Sequence, residues 1–207
     1  MSNTYFITGI STDVGKTIAA AIVTEALQAD YWKPVQAGEL EYSDTHKVKE
    51  IVSNDISQYH DNLYALETPM SPHAAAEIDG ISIELSKIKR PKTKNNLVIE
   101  GAGGLLVPLN DKETIIDLIQ STDKVIVVSR HYLGSINHTL MTIETLKNRG
   151  LDVAGIIFSG EEHPTSEAII TKMTKVSIIG RIDEEPYFDQ NVICEYAEKF
   201  REHVSLL

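Results

Sequence analysis

The residues best suited to chemistry lie near the start of the chain, in the run 9–17, GISTDVGKT. Glycines in such a loop let backbone N–H groups converge on phosphate oxygens, while the next helix presents its positive N-terminus to the anion. In a P-loop a lysine reaches the terminal phosphates and a threonine hydroxyl binds Mg²⁺, and Lys16 and Thr17 have those positions. The run is one residue longer than the strict pattern, with Ile10 where the pattern has glycine. The alternative is a chance Gly-Lys-Thr at a helix start, but a predicted strand before the run and an apolar helix after it favour a P-loop.

Two further predicted strands end in residues that can handle charge. Glu100 ends the apolar run 97–100 and is followed by glycines that let the chain approach a phosphate closely. A carboxylate at such a strand end holds Mg²⁺ in P-loop enzymes. Lys33 ends an earlier strand and Asp44 follows it, and the carboxyl ends of parallel strands face the ligand crevice. They are therefore candidates for a charge-stabilising cation and a further magnesium ligand. The simpler alternatives are a tight turn at 101–104 and solvated surface for Lys33 and Asp44.

Short apolar runs alternate with helix-period segments, which predicts an α/β fold of the P-loop NTPase type, with a mostly parallel central sheet and helices on both faces. The predicted strands cover residues 5–8, 31–35, 97–100, 125–129, 153–158 and 176–179. The predicted helices cover residues 17–28, 44–53, 114–121, 135–148, 167–175 and 190–203. Residues 53–94 are less regular, and we interpret the basic run at 87–92 as solvated. We expect a single domain over residues 1–207.

Composition excludes several classes of protein. The chain has 19 Lys and Arg against 30 Asp and Glu, a net charge of -11, so it lacks the clustered cations that nucleic acids or anionic membranes require. Its single cysteine, Cys194, excludes an intramolecular disulfide and a cysteine-rich metal site. No apolar run approaches the about 20 residues that span a bilayer. We therefore expect a cytoplasmic protein with neither nucleic acid nor membrane as partner.

Together these motifs resemble the dethiobiotin synthetase family. The resemblance is carried by the expanded P-loop with Asp13 in its middle, and by the runs Lys33-Pro34-Val35, Ser43-Asp44, Ser71-Pro72-His73, 100–104 (EGAGG) and 133–138 (LGSINH). It implies ATP-dependent ring closure of 7,8-diaminononanoate with carbon dioxide, giving dethiobiotin, ADP and phosphate in biotin biosynthesis. In that reaction one amine forms a carbamate, the carbamate attacks the γ-phosphate, and the second amine closes the ring.

The resemblance also implies a set of site residues. Lys33, Lys16 and Thr12 would be catalytic, with Lys33 on the carbamate and phosphoryl oxygens, Lys16 toward the γ-phosphate and Thr12 at the diamine. Mg²⁺ would be held by Thr17, Asp44 and Glu100, with ATP as co-substrate. The nucleotide would be bound by Asp13, Val14, Gly15, Lys16, Thr17, Ile18, Asp44, Glu100, Gly101, Ala102, Gly103, Ser159 and Gly160. The diamine substrate would be bound by Thr12, Lys33, Ala37, Gly134, Ser135 and Asn137.

The carboxylate tail of that substrate needs a separate anion site. Gly134 and Ser135 lead into a predicted helix whose free N–H groups and dipole favour an anion. Ser135 is equally well explained as a helix N-cap alone. In the family this helix start is offered across a two-fold interface, so the resemblance implies a homodimer with a shared substrate site.

The sequence disfavours two alternative functions. A nucleotide-dependent switch ATPase of the partitioning or septum-positioning type has a similar fold, but usually carries a second lysine early in the P-loop, where this chain has Ile10-Ser11-Thr12. An amide-forming ligase of the kind used in cobalamin synthesis usually adds an amidotransferase domain with a nucleophilic cysteine. The chain has neither the length nor a suitably placed cysteine for that.

Three positions depart from the family pattern, and two of them concern the base. Ala37 stands where the family commonly has Ser or Thr, Ser159-Gly160 where a purine-reading Asn is usual, and Asp183 where Pro is common. A base site that loses its paired donor and acceptor discriminates less among nucleotides. We predict relaxed base specificity, measured as turnover with ATP, CTP and GTP. A preference for ATP on the order of several thousandfold would contradict it.

Overall fold

Strands and helices alternate along the computed structural model, which describes residues 2–207. The strands are β1 (Thr4–Gly9), β2 (Asp30–Trp32), β3 (Val35–Ala37), β4 (Tyr59–His60), β5 (Tyr64–Leu66), β6 (Leu97–Gly104), β7 (Lys124–Arg130), β8 (Asp152–Ser159) and β9 (Ile178–Ile182). The α-helices are α1 (Lys16–Leu27), α2 (Asp44–Ile51), α3 (Pro72–Asp79), α4 (Ser135–Asn148), α5 (Pro164–Thr174) and α6 (Gln190–Ser205). Short 3-10 helices cover Leu40–Tyr42, Leu85–Lys87 and Ile115–Leu118. None of the helices in this part of the chain is long and apolar enough to cross a membrane.

The central sheet has seven strands in the order β4-β2-β6-β1-β7-β8-β9, and every pair in it is parallel. Its middle strands are apolar without alternation, as expected for strands covered on both faces, and Val125 to Val128 have no exposed surface. Because all strands run the same way, the loops after their carboxyl ends meet at one edge of the sheet.

Helices cover both faces of this sheet. The chain moves from β1 toward β2 through α1 and in the opposite direction from β7 to β8 through α4, so right-handed crossovers put these two helices on opposite faces. The helices α2 and α6 pack against α1, and α5 packs against α4. The α1 face toward the sheet is close-packed, with Ala19, Ala20 and Ile22 fully buried. The predicted α/β architecture is confirmed.

Proline interrupts the predicted strand at residues 31–35. The chain forms β2 in the central sheet, breaks at Lys33-Pro34, and continues as β3, which pairs with β5 in a separate two-stranded sheet. Pro34 has no N–H group to donate to a ladder, so the central sheet ends there. The break carries Lys33 out of the sheet at its carboxyl edge.

The predicted helix at 114–121 is wrong. Only Ile115–Leu118 is helical, as a 3-10 turn that begins with a capping box between Thr114 and Asp117. The side chain of Arg90 then binds the carbonyl of Leu118 at 3.2 Å and the carboxylate of Asp123, so the chain turns directly into β7. An apolar pattern of helical period was too short here to continue past its first turn.

The irregular stretch at 53–94 contains more structure than the sequence indicated. It includes β4, β5 and α3, and α3 begins with Pro72 at its first position and ends before Gly80 in the left-handed region, at φ 69. Proline at the start and glycine just past the end are ordinary helix boundaries. That pair of signals was present in the sequence and was missed.

Candidate active site

A cavity of about 1040 Å³ opens at the carboxyl edge of the sheet, where the ends of β1, β6, β7, β8 and β9 meet residues 33–47 and 69–72. It brings together most of the predicted site residues: Thr12, Asp13, Gly15, Lys16, Thr17, Ile18, Lys33, Ala37, Asp44, Glu100, Ala102, Gly103, Ser159 and Gly160. Val14 and Gly101 lie behind this lining, since Val14 is buried in the core and Gly101 abuts Phe6 and Ile115.

The loop between β1 and α1 has the backbone geometry of a phosphate cradle. Asp13 and Gly15 lie in the left-handed region, at φ 54 and 92, and α1 begins directly afterwards at Lys16. A side chain at Gly15 would meet the hydroxyl of Ser159 at 2.8 Å, so only glycine fits where the loop touches the end of β8. The Lys16 ammonium donates to the Ser11 carbonyl at 3.0 Å across the loop. Burial lowers the pKa of Lys16.

The carboxylate of Glu100, in the middle of β6, is the most enclosed charge of the cavity, with the residue 1% exposed; the strand continues to Gly104, so the alternative of a tight turn at 101–104 is wrong. Its Oε1 accepts from the hydroxyl of Thr17 at 3.0 Å and from the ammonium of Lys33 at 3.0 Å. Its Oε2 accepts from the hydroxyl of Tyr31 at 2.8 Å. Burial, together with the charge of Glu100, raises the pKa of Tyr31 well above its ordinary value, so this hydroxyl keeps its proton.

Lys33 joins Glu100 to a second carboxylate, that of Asp44 at the start of α2. Burial acts to lower the pKa of Lys33, but the two carboxylates outweigh it and the pKa is raised. Burial likewise acts to raise the pKa of Asp44, and Lys33 outweighs it, so that pKa is lowered. At neutral pH the cluster therefore holds a protonated Lys33 ammonium against an ionised Asp44 carboxylate, with the carboxylate of Glu100 on its other side.

Oxygen ligands for a hard cation are present in this cluster. The Thr17 hydroxyl and the Glu100 carboxylate lie 3.0 Å apart, and Asp44 is joined to them through Lys33. Hydroxyl and carboxylate oxygens beside bound phosphates are the ligands that Mg²⁺ prefers. Residues 2–207 contain no group of three or more His, Cys, Asp or Glu side chains placed to hold a metal ion by themselves.

The predicted anion site at the start of α4 lies outside the cavity. Gly134 is the N-cap of α4, at φ 103, so the alternative that Ser135 is only an N-cap is wrong. Ser135 is buried, whereas Gly134 and Asn137 are exposed. The same surface carries exposed apolar side chains, with Tyr132 40%, Leu133 105% and Met141 56% exposed.

Several cavity residues were missed by sequence reasoning. Behind the lining, the buried Tyr31 donates its hydroxyl to Glu100, and its position on the strand just before Lys33 was the available signal. Glu39 and Lys47 form an ion pair of 2.6 Å at the cavity mouth. The far end of the cavity is lined by Asp183, which the sequence analysis named, and by residues on β7, at the end of β9 and beyond it that no motif indicated: Arg130, Ile182, Glu184, Glu185 and Phe188.

The ion cluster predicts how stability depends on pH in Lys33→Met. In the wild type the folded pKa of Asp44 lies below its unfolded value, so this group stabilises the fold above the unfolded pKa and loses that contribution as pH falls through the folded one. Without Lys33 the buried carboxylate of Glu100 loses its paired cation, and Asp44 is left with Lys47 at 3.5 Å, so we expect the free energy of unfolding to fall by about 3 kcal/mol near neutral pH. The difference from wild type should shrink as pH falls toward about 4.

Chemical denaturation at a series of pH values measures this difference. Lys87→Met is the matched control, because Lys87 pairs with Glu84 on the surface and its loss should change little. An effect of Lys33→Met that is independent of pH, or no larger than that of the control, would contradict the charge assignment.

Comparison with known proteins bears on this site and fold. A family model described as an AAA domain matches residues 3–192. The chain is similar to a protein of Christiangramia forsetii, 67% identical over 204 residues that cover 99% of each chain. It is also similar to a protein of Cytophaga hutchinsonii, 50% identical over 94% of this chain and 95% of the relative, and to one of Chlamydia pneumoniae, 44% identical over 95% and 88%. All three relatives are named ATP-dependent dethiobiotin synthetase BioD.

Solved structures with the same fold are more distant in sequence. The cell division ATPase MinD of Pyrococcus furiosus superposes with a TM-score of 0.65 at 12% identity, covering 98% of this chain and 99% of MinD. The pNOB8 ParA protein bound to nonspecific DNA superposes with a TM-score of 0.55 at 7% identity, covering 100% and 99%. At such identities the likeness shows the fold alone. The full-length relatives decide the family: the chain belongs to the AAA-domain P-loop proteins and, within them, to the ATP-dependent dethiobiotin synthetases.

Proposed function

We propose that this chain closes the ureido ring of dethiobiotin from 7,8-diaminononanoate, carbon dioxide and ATP, releasing ADP and phosphate. The arrangement of Lys33 between Glu100 and Asp44, beside a P-loop in one cavity, is the observation that supports this function most strongly. Each step of the reaction gathers negative charge on carbamate or phosphoryl oxygens. A site that holds a protonated lysine against those oxygens suits that chemistry, with little covalent participation by the protein.

The proposed roles follow from which groups can donate. Lys33 is protonated and can exchange its carboxylate partners for the carbamate and phosphoryl oxygens of bound substrates. Lys16, now on the Ser11 carbonyl, would turn to the γ-phosphate and neutralise it as ADP departs. Thr12 would hold the diamine, from its place on the cavity lining near Gly103. The α1 N-terminus and the loop N–H groups would bind the phosphates.

We also propose Mg²⁺ as the metal, held by Thr17, Glu100 and Asp44. When bound, the ion neutralises phosphate charge and orients the γ-phosphate for attack. The hydroxyl and carboxylate oxygens present fit this ion, and their present partner is the ammonium of Lys33, a cation that a metal ion can replace.

The substrate's carboxylate tail is proposed to bind at the start of α4 of a second copy of the chain. Gly134 and Ser135 lie at a helix N-terminus, where Gly134 is exposed and Ser135 is buried, and they are not part of the same chain's cavity. The exposed apolar side chains of Tyr132, Leu133 and Met141 on this surface suit burial against a partner. The proposed assembly is a homodimer in which each site receives a helix start from its neighbour.

Two further properties are proposed with this function. The described residues share one continuous hydrophobic core, which supports a single domain; Met1 lies outside the described residues. A cytoplasmic location is supported by the use of ATP as co-substrate.

Phosphate release tests the function directly. With ATP and Mg²⁺ present, we expect release to require both 7,8-diaminononanoate and bicarbonate, and dethiobiotin to form in equal amount. Lys33→Gln should lower turnover at least about 100-fold, because one charge-stabilising donor is lost, while MgADP binding measured by calorimetry is retained. Phosphate release at the same rate with and without the diamine would contradict the synthetase function for this chain.

A charge placed on the proposed interface tests the shared site. Leu133→Asp should convert the dimer to a monomer in sedimentation experiments and raise the KM for the diamine at least about tenfold, because a buried carboxylate opposes association. The affinity for MgADP should not change. Met173→Asp on α5 is the control, since Met173 is 61% exposed on a different helix. A wild-type chain that sediments as a monomer, or an unchanged KM in Leu133→Asp, would argue against the shared site.

A further inference from the structure

A buried carboxylate lies behind the end of the cavity that is formed by β7, β8 and β9. Glu167 on α5 is 6% exposed. Its Oε1 accepts from Nε2 of His131 at 3.0 Å and from the backbone N–H of His163 at 3.2 Å, and its Oε2 is paired with Arg181. Burial acts to raise the pKa of Glu167, and the hydrogen bonds from Arg181 and His131 outweigh it, so the pKa is lowered and the group is ionised.

Each partner of Glu167 is next to a part of the chain that lines the cavity. His131 follows Arg130 at the end of β7, and Arg181 precedes Ile182 at the end of β9. His163 ends the short segment that follows Ser159 and Gly160 at the end of β8. One carboxylate therefore ties together the ends of three neighbouring strands.

These strand ends include Ser159 and Gly160, which the family resemblance assigns to the nucleotide, and we take this side of the P-loop as the nucleoside side. In the sheet order, β7, β8 and β9 follow β1 on one side, whereas β6 and β2, with Glu100 and the nearby Lys33, lie on the other. Parallel strands are about 4.8 Å apart, so the end of β9 is about 14 Å from the P-loop strand. The contact of Ser159 with Gly15 joins the two regions.

Loss of the Glu167 charge has a local consequence. Among residues 2–207, Nη1 of Arg181 and Nδ1 of His131 are buried without a protein partner. A second carboxylate, that of Glu162, lies 3.8 Å from Arg181 but is 66% exposed, so Glu167 is the closer and better buried counter-charge. Without it the guanidinium must move toward water, and the β9 end moves with it. The ring of His131 also stacks on Phe158 of β8, with centroids 5.2 Å apart, so a shift at one strand end reaches the next.

From these contacts we infer that Glu167 is a positioning residue for the nucleoside half of the nucleotide site. It acts through the ends of β7, β8 and β9 and touches neither the phosphates nor the diamine. This inference rests on the proposed function only in taking the cavity as a nucleotide site. Its prediction concerns binding: affinity for the nucleoside part depends on Glu167, and affinity for the phosphates does not.

The test compares two ligands by calorimetry. MgADP carries the nucleoside, whereas magnesium tripolyphosphate occupies only the phosphate cradle. In Glu167→Gln we expect the Kd for MgADP to rise about tenfold and that for tripolyphosphate to change less than about twofold, since displacement of a supporting residue acts on the groups that it positions. In the full reaction the KM for ATP should rise, with kcat and the KM for the diamine preserved.

A second buried ion pair provides the matched control. Arg90 and Asp123 form a charge pair of the same kind, with the Asp123 side chain fully buried, at the amino end of β7. Asp123→Asn should lower thermal stability as Glu167→Gln does, but leave both affinities unchanged. If Glu167→Gln does not fold, His131→Leu, which removes one contact of Glu167, should raise the Kd for MgADP about threefold.

The inference would be overturned by any of three results: an unchanged affinity for MgADP, an equal loss for MgADP and tripolyphosphate, or the same selective loss in Asp123→Asn. These three results are binding measurements made without the diamine. Failure of the inference is therefore distinguishable from failure of the synthetase function, which phosphate release tests separately.

Discussion

The buried charge of Glu100 is the constraint on which the site depends. A carboxylate that is 1% exposed is tolerated only when its oxygens are paired, and its donors come from separate segments: Thr17 in the first turn of α1, Tyr31 on β2 and Lys33 just beyond it. The strand register places β1 and β2 on either side of β6, with Ile7 opposite Glu100 and Tyr31 opposite the nearby Val98. The pairing that builds the sheet thus also sets the donor distances, and a shift in register would leave this charge unpaired.

The same requirement explains how a chain of net charge -11 presents a site for anions. Net charge describes the surface as a whole, whereas binding of a triphosphate depends on a few enclosed groups. Here the cations Lys16 and Lys33 are buried, and each is compensated, Lys16 by the loop carbonyl of Ser11 and Lys33 by two carboxylates. An anionic ligand can take over these partners, so the site exchanges one set of charge contacts for another.

The sequence was sufficient to predict candidate site residues where the chemistry depends on a local motif. It was insufficient where the contacts join segments that are distant along the chain. The P-loop, Lys33, Asp44 and Glu100 were found because spacing and strand ends carry their signal. The prolines at positions 34 and 72 indicate the break after β2 and the start of α3, but both features were missed. The prediction of a helix at 114–121 was wrong because Arg90, which is distant in sequence, binds the carbonyl of Leu118 where the helical turn ends. The contacts of Glu167 with His131 and Arg181 join positions 36 and 14 residues apart, which no local pattern encodes.

The order of strands divides the cavity into halves that differ in how deeply their charged groups are buried. On the side of β6 and β2, a network of buried charges fixes each side chain through at least one other, so a substitution there disturbs several groups at once. On the side of β7, β8 and β9 the charged lining is more exposed: Arg130 pairs with Glu184 at 2.5 Å, and their side chains are 44% and 57% exposed. Water screens such a pair, so a substitution in this half leaves fewer buried charges without a partner. Ser159 and Asp183, the two positions that the sequence analysis identified as departures from the family pattern near the base, both line this half of the cavity.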